Sequence, residues 1–487
     1  MSPPPGEKQF SEKRLGGKRQ DRLGGVLALL VTLTAAPVAA ITVPNTVSNV
    51  LSQASAELGL SGDAQVGLYR AGGLALPGLL FAVPVGAVLA RRLPSWIVLT
   101  AGLALVVGAE AGAPAAGSVP LLGALRIAQG VGAGLALPAS LAVVWARARA
   151  LWAGALVAAL LTAMPVMLAV VPAEGEDWRP VFQPGLPLVG AALAAAGLYG
   201  LVRGRRRELP AARLGERTQL LLPVVPATGF AVLAVVTTYN WSQGAQLIVA
   251  GVGLAALLGL ALVGSRDATA GSPYGVAVVA VGTGLLTLPI AAPMAGLLST
   301  RTGAQQVPLI PFAVAAGTAV VGALAGGRLG GKGRSVVAAG QGLMVVAVMV
   351  FLTTGPESGT RALAVPLGLL GAGAGLSLGA ALSTASLGAA LFGLTLLFPA
   401  LLTGELAVGA LQVARVNAAI KAGTGAAGEV YALTAAFRTW LVMAGVAAVI
   451  TAGATAFAAR RRPGPGLRGV PAPRQPADET ATEVPAT

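Results

Sequence analysis

Apolar stretches of roughly 20 residues, each long enough to cross a bilayer as a helix, recur from Gly24 to Ala459 and alternate with short polar gaps. The pattern predicts crossings at about 24–50, 64–90, 95–115, 119–145, 150–172 and 181–203. Two more follow at about 219–239 and 244–264, and a last six at about 272–298, 307–327, 335–354, 362–384, 386–404 and 436–459. Arg and Lys fall into every second gap. Lys8 to Arg22, Arg91 with Arg92, Arg147 with Arg149, the run Arg203 to Arg217, Arg266, Arg328 to Arg334 and the tail from Arg460 share one side, and together hold 25 of the 33 basic residues. By the positive-inside rule that side is the cytoplasm. The expectation is an all-α polytopic protein of fourteen crossings in the cell (plasma or inner) membrane, with both termini cytoplasmic.

The same pattern divides the chain. Residues 1–22 form a basic cytoplasmic tail, 23–203 a first six-helix bundle, and 204–218 a basic linker carrying Pro210. Residues 219–264 supply two extra helices, 272–459 a second six-helix bundle, and 460–487 a tail whose Pro, Ala, Asp, Glu and Thr content reads as disordered. Between the last two crossings, at 405–435, Leu406, Val408, Leu411, Val413, Val416 and Ile420 are interrupted by Arg415 and Lys421. That pattern suits a helical hairpin lying at the outer surface. A weak internal repeat is also visible. Gly86-Ala-Val-Leu-Ala-Arg91-Arg and Gly327-Arg-Leu-Gly-Gly-Lys-Gly-Arg334 both leave the second helix of a six-helix group through small residues into a basic turn. Transporters are commonly built from such repeats, with the substrate site at mid-membrane between them.

Composition changes the picture mainly by exclusion. The 55% apolar content and 10% charged content lie far from soluble averages. The net charge of +15 follows from the loop bias and calls for no nucleic-acid partner. Cys and His are absent, which removes disulfides, thiol chemistry, Cys/His metal sites and imidazole relays. Any proton carrier must be a carboxylate. Ala36-Pro-Val-Ala-Ala40 offers small residues for signal cleavage, but the apolar run before it is too long for a signal peptide. No acid/base, nucleophile or metal constellation points to an enzyme or a cofactor.

The densest motif lies on the fourth predicted helix: Leu121-Leu-Gly-Ala-Leu-Arg126-Ile-Ala-Gln129-Gly130-Val-Gly132-Ala-Gly134-Leu-Ala-Leu-Pro138-Ala-Ser. Glycines at this spacing let helices approach closely, and Pro138 loosens the helix beyond them. Arg126 lies about seven residues in from the outer end, roughly 10 Å deep at 1.5 Å per residue. An intramembrane Arg faces a cavity or a partner. Arg126 is either a structural tether bonded to backbone carbonyls or Gln129, or a cavity cation for an anionic group. Arg70 snorkels at the outer interface or joins Arg126 in a positive vestibule. Glu110 pairs with Arg126 or is an interfacial carboxylate hydrated from outside.

These residues resemble the major facilitator superfamily, and within it the fourteen-helix drug:proton antiporters. The helix-four stretch fits that family's R-x-x-Q-G-x-G-x-G-x-x-x-P signature without a gap. Thr46 and Asn49 in Pro44-Asn-Thr-Val-Ser-Asn-Val50 fit its D-x-T-I-V-N-V pattern, Tyr69 with Leu74 and Pro77 resembles the start of its helix two, and Trp178-Arg179-Pro-Val-Phe182 resembles the W-R-W-I-F after its helix five. The resemblance implies a major-facilitator fold, two six-helix bundles plus two central helices, and a small-molecule substrate. Departures matter for coupling. Pro44 stands where the helix-one acid falls, Ala90 and Gly331 where the cytoplasmic loop acids fall, and the helix-five antiporter motif keeps little beyond Pro165. Of the 18 carboxylates, Glu110 and Glu405 come closest to a membrane centre, each near a helix end.

The candidates are therefore Arg126, Gln129, Asn49, Thr46, Tyr69, Arg70 and Glu110 for cavity and coupling, and Gly130, Gly132, Gly134, Pro138, Pro165, Gly86 and Arg91 for structure. Gly368 to Gly375 reads as a packing surface, and Gly326 to Arg334 mimics a phosphate cradle but lies between membrane helices. Three functions remain: export of small hydrophobic or amphipathic compounds, uncoupled facilitation, and a non-transporting scaffold with a protein partner. The bilayer is a partner in all three.

Overall fold

The computed structural model describes residues 5–45, 50–171, 177–183, 185–203, 209, 216–236, 241–266, 275–303, 306–330, 333–355 and 358–460. Thr46, Asn49, Gly331, most of the linker 204–218 and the tail past Arg460 lie outside them.

The described residues are helical in succession: α1 (Pro5–Ile41), α2 (Leu51–Glu57), α3 (Asp63–Gly73), α4 (Ala75–Arg92), α5 (Ser95–Gly112), α6 (Val119–Ala169), α7 (Leu186–Arg203), α8 (Glu216–Leu221) and α9 (Val224–Val236). They continue as α10 (Gln243–Arg266), α11 (Val276–Leu286), α12 (Leu288–Thr302), α13 (Ile310–Arg328), α14 (Gly333–Thr354), α15 (Thr360–Thr384), α16 (Leu387–Lys421) and α17 (Gly425–Arg460). Thirteen segments are long and apolar enough to cross a membrane, one of them the 51-residue α6. At 1.5 Å per residue α6 would measure about 77 Å if straight, more than twice a hydrocarbon core of about 30 Å. It is not straight. Ala148 leaves helical geometry (φ −139°, ψ 23°), and Trp152 Nε1 donates to Ser140 Oγ at 2.9 Å. Twelve residues of unbroken helix would hold those groups about 18 Å apart, so the chain folds back at Ala148. Among the described residues the crossings thus number fourteen, and the protein is an all-α polytopic membrane protein.

Several crossings are interrupted where the hydropathy pattern runs on unbroken. The first predicted crossing, 24–50, stops being helical at Ile41, just before Pro44. The second divides at Leu74, where Pro77 supplies no amide to Gly73. Pro223 separates α8 from α9, and Thr287 followed by Pro289 separates α11 from α12. The last two crossings are longer than predicted, because α16 runs on to Lys421 and α17 starts at Gly425, with Gly423 between them at φ 67°. A hydropathy window does not register most of these changes, because the residues on either side are predominantly apolar.

Close packing comes from alternate glycines. At about 100° per residue, helical positions two apart face opposite sides and positions four apart share one. Gly130 and Gly134 therefore meet α4, against Ala75 and Leu79, while Gly132 between them meets α5. A methyl on Gly132 would lie 2.5 Å from the Gly102 carbonyl oxygen, and one on Gly102 would lie 2.7 Å from that of Gly132. Further along, Pro138 abuts Gly86. The second half repeats this arrangement. Gly371 and Gly375 meet Ala315 and Ala319 of α13, while Gly373 and Gly340 of α14 oppose each other's carbonyls at 2.6 and 2.7 Å. Gly130-Val-Gly132-Ala-Gly134 thus recurs as Gly371-Ala-Gly373-Ala-Gly375, each on the fourth helix of its half.

The halves meet where α6 packs on α13, α15 and α12, and where α4 packs on α16. The extra helices divide between them. α9 lies mainly on α4 and α10 on α16 and α11, while α9 and α10 meet each other at little more than Phe230 against Gly253.

Candidate functional site

One end of the molecule carries Arg91, Arg92, Arg147, Arg149 and Arg328 and is called the basic end; the opposite is the far end. At the far end the helix interruptions leave carbonyls without the usual intrahelical donor. In a bilayer such groups must be satisfied from within the protein. Arg126, 4% exposed, supplies the donors. Its Nε donates to Gly72 O at 2.9 Å, and its Nη2 to Thr42 O at 3.1 Å and Pro44 O at 3.3 Å. Nη1 donates to Gln129 Oε1 at 2.8 Å. The buried Gln129 passes the connection on, its Nε2 donating to Phe182 O at 2.8 Å. One guanidinium thus ties the end of α1, the end of α3 and the loop before α7 to α6. Of the two roles expected for Arg126, this geometry is that of the tether.

Glu110 lies nearby on α5, but not as an ion pair. Its side chain is 0% exposed, so it is not the hydrated interfacial carboxylate that its place near a helix end suggested. The loop 179–183 folds over α5 and covers it, with Gln183 Nε2 donating to the Glu110 backbone carbonyl at 2.8 Å. Among the described residues neither carboxylate oxygen accepts a hydrogen bond. The Arg126 guanidinium and the Gly185 amide are the groups that face it electrostatically.

A second layer caps this knot. Val50, Ala54, Leu68, Ala113, Leu122, Trp178, Val181 and Phe182 form a small apolar core separate from the main one. Trp178 Nε1 donates to Glu57 Oε2 at 2.7 Å, and Arg179 Nη2 to Glu57 Oε1 at 2.7 Å. Arg179 also reaches Asp177 at 3.3 Å and lies 5.0 Å over the Trp178 ring. The Arg179 and Trp178 hydrogen bonds hold the Glu57 carboxyl below its usual 4.5. Sequence motifs pointed to Trp178 and Arg179 but not to Glu57 or Gln183, whose partners lie far away in the chain.

The structure therefore brings Arg126, Gln129 and Glu110 together and leaves Tyr69 and Arg70 apart from them. Tyr69 is 44% exposed on α3 and takes part through its backbone, accepting from Asn45 Nδ2 at 3.1 Å. Pro138 and Pro165 are buried in α6, and Arg91 lies in the last turn of α4.

Between the halves, toward the basic end, lies a small cavity lined by Leu141, Trp152 and Leu156 of α6, with Ala280 of α11, Leu378 of α15 and Leu394 of α16 facing them. Its lining carries no charge. Trp152, the one polar-capable side chain there, spends its N–H on Ser140. Among the described residues no three His, Cys, Asp or Glu side chains group closely enough to hold a metal ion.

No family model and no curated protein sequence matches this chain. Solved structures do. The proton:xylose symporter XylE of the major facilitator superfamily, bound to 6-bromo-6-deoxy-D-glucose, aligns over 88% of this chain and 95% of its own, with TM-score 0.51 and 15% identity. A bacterial homologue of the human lysosomal transporter Spinster, inward-facing and unoccupied, aligns over 91% of this chain and 97% of its own, with TM-score 0.52 and 15% identity. Likeness at this identity establishes the fold, which is the major-facilitator fold.

Proposed function

We propose that the chain is a secondary transporter of the cell membrane, exporting small hydrophobic or amphipathic compounds by alternating access, with the basic end in the cytoplasm. The observation that carries this reading is the seam itself, walled by both halves and almost entirely apolar, where a cavity with room for about one water would have to widen as the halves part. A neutral lipophilic molecule loses nothing by entering such a space, whereas an ion or a sugar would surrender its hydration without compensation. The fold supports it, since substrate sites of such transporters lie between repeats. The division of α9 and α10 between the halves is consistent with rocking, because no extensive α9–α10 interface has to break.

Proton coupling is not part of the proposal. Among the described residues the buried ionisable groups are Glu110 and Arg126 in the first half and the carboxyl of Glu405 on α16 of the second, and none of them lines the cavity at the seam. That distribution favours a facilitator as the second reading, in which cargo moves only down its own gradient. Efflux of a lipophilic fluorescent dye from inverted vesicles, with and without an imposed pH gradient, separates these cases. Concentrative movement driven by another imposed ion gradient but not by the pH gradient supports export without a proton carrier, strictly downhill movement supports the facilitator, and no movement beyond protein-free vesicles rejects both.

A further inference from the structure

Gln341 occupies the middle of α14 and is 1% exposed. Among the described residues neither its Oε1 nor its Nε2 has a hydrogen-bond partner, and both atoms are sealed from the surface. Exchanging the amide oxygen and nitrogen changes nothing, since both are unpaired. A carboxamide stranded in a lipid-embedded core is destabilising, and native interiors rarely tolerate one.

The surroundings offer a remedy. α11 presents Gly282 toward this amide, and α17 presents Thr451. A methyl built on Gly282 would lie 3.7 Å from Gln341 Oε1, 3.3 Å from Thr451 Oγ1 and 3.4 Å from Thr451 Cβ. The side-chain position of Gly282 is thus bordered by polar atoms of two other helices. Thr451 Oγ1 already donates to Ala448 O at 3.0 Å, so its lone pairs are available to accept. Water needs a polar wall and at least two partners, and Gln341 with Thr451 supplies both.

We propose that Gly282, Gln341 and Thr451 form a buried hydration site that takes ordered water and joins α11, α14 and α17 inside the second half. Water seated beside Gly282 donates to Thr451 Oγ1 and pairs with the near end of the Gln341 amide. The site lies behind the transport path. Val276 and Ala280, four apart on α11, face the seam cavity, and Gly282, two residues beyond Ala280, faces the other way. The hydration site thus anchors the back of a helix whose front lines the cavity and whose continuity is lost at Thr287.

Thermal unfolding of the purified full chain in detergent tests this with three variants. Gly282→Ala introduces a methyl that touches Thr451 Oγ1 at 3.3 Å and displaces the water, stranding the amide, and its Tm should fall by a few degrees. Gly282→Ser brings a hydroxyl to the same place and should match or exceed the unmodified Tm. Gln341→Met should not raise it. A dry pocket gives the reverse, with Gly282→Ala at least as stable as Gly282→Ser, or Gln341→Met more stable than the unmodified protein, and either result overturns the proposal. Where the glycine variants do not fold, a high-resolution density map of the unmodified protein decides. A solvent peak within hydrogen-bond reach of Gln341 supports the site, and empty space beside a resolved Gln341 side chain rejects it.

Discussion

Replacing Arg126 by Ala separates its two expected roles. The substitution removes hydrogen bonds to Gly72, Thr42, Pro44 and Gln129. Hydrogen bonds between membrane helices average about 0.6 kcal/mol, so four of them set a floor of about 2 kcal/mol. Each buried carbonyl left without a donor costs about 1–3 kcal/mol, and three set a ceiling of about 9 kcal/mol. The lower half of that range is expected, because water reaches groups near the far end more easily than groups at mid-membrane. Arg126→Lys keeps the charge but not the planar fork that spans three chain segments, so it should recover only part of the loss. Unfolding in mixed micelles measures stability, and transport per folded molecule is measured on the same preparations. A tether predicts lost stability with little change in transport per folded molecule. Full stability with abolished transport would refute the reasoning and make Arg126 a cargo-facing cation.

Glu110→Gln, which keeps shape and removes the charge, should leave both transport and its pH dependence nearly unchanged, as measured in vesicles at several pH values. Gly132→Leu should abolish folding, and Gly373→Leu should do the same in the second half, because each would drive a side chain into an opposing carbonyl 2.5–2.6 Å from its Cβ. Gly342→Ala, with open space beside it, serves as the neutral control by size-exclusion profile. The Glu57 carboxyl is depressed by Arg179 and Trp178. Its stabilisation of the far-end cap is therefore complete above 4.5 and is lost as pH falls through the lowered folded value. Trp fluorescence across an acid titration should report that loss, and Glu57→Gln should flatten it.

The crossings were legible because a 20-residue apolar window is a direct consequence of bilayer thickness. The G-x-G-x-G motif was legible as a packing surface, and its reason, opposite neighbours for alternate positions, follows from helical geometry alone. Its recurrence at Gly371 to Gly375 was present in the sequence but hidden, because Leu367 and Leu370 stand where Arg126 and Gln129 would mark it. The interruptions at Ile41, Leu74 and Thr287 each had a nearby proline as a signal, yet prolines within α6 and α15 leave those helices continuous. Packing decides between the outcomes. The environment of Glu110 was not legible, since it depends on a loop some seventy residues away folding across α5. Gln341 gave no sequence signal either, because an amide among apolar residues does not reveal which helices surround it.

The central claim is that the two halves rock about an apolar seam, and a reversible cross-link tests it most directly. Near the basic end α6 and α13 touch, where a Cβ built on Gly327 would meet only the Cβ of Ala150, 2.6 Å away. The chain has no native Cys, so Ala150→Cys with Gly327→Cys creates one disulfide that spans the halves once the two helices ease apart by about 1 Å. Transport of a lipophilic dye by this variant in proteoliposomes should stop on oxidation and return on reduction, while neither single-Cys variant responds. Full transport by the oxidised, fully cross-linked protein would contradict the account, because cargo would then cross without the halves separating at that seam.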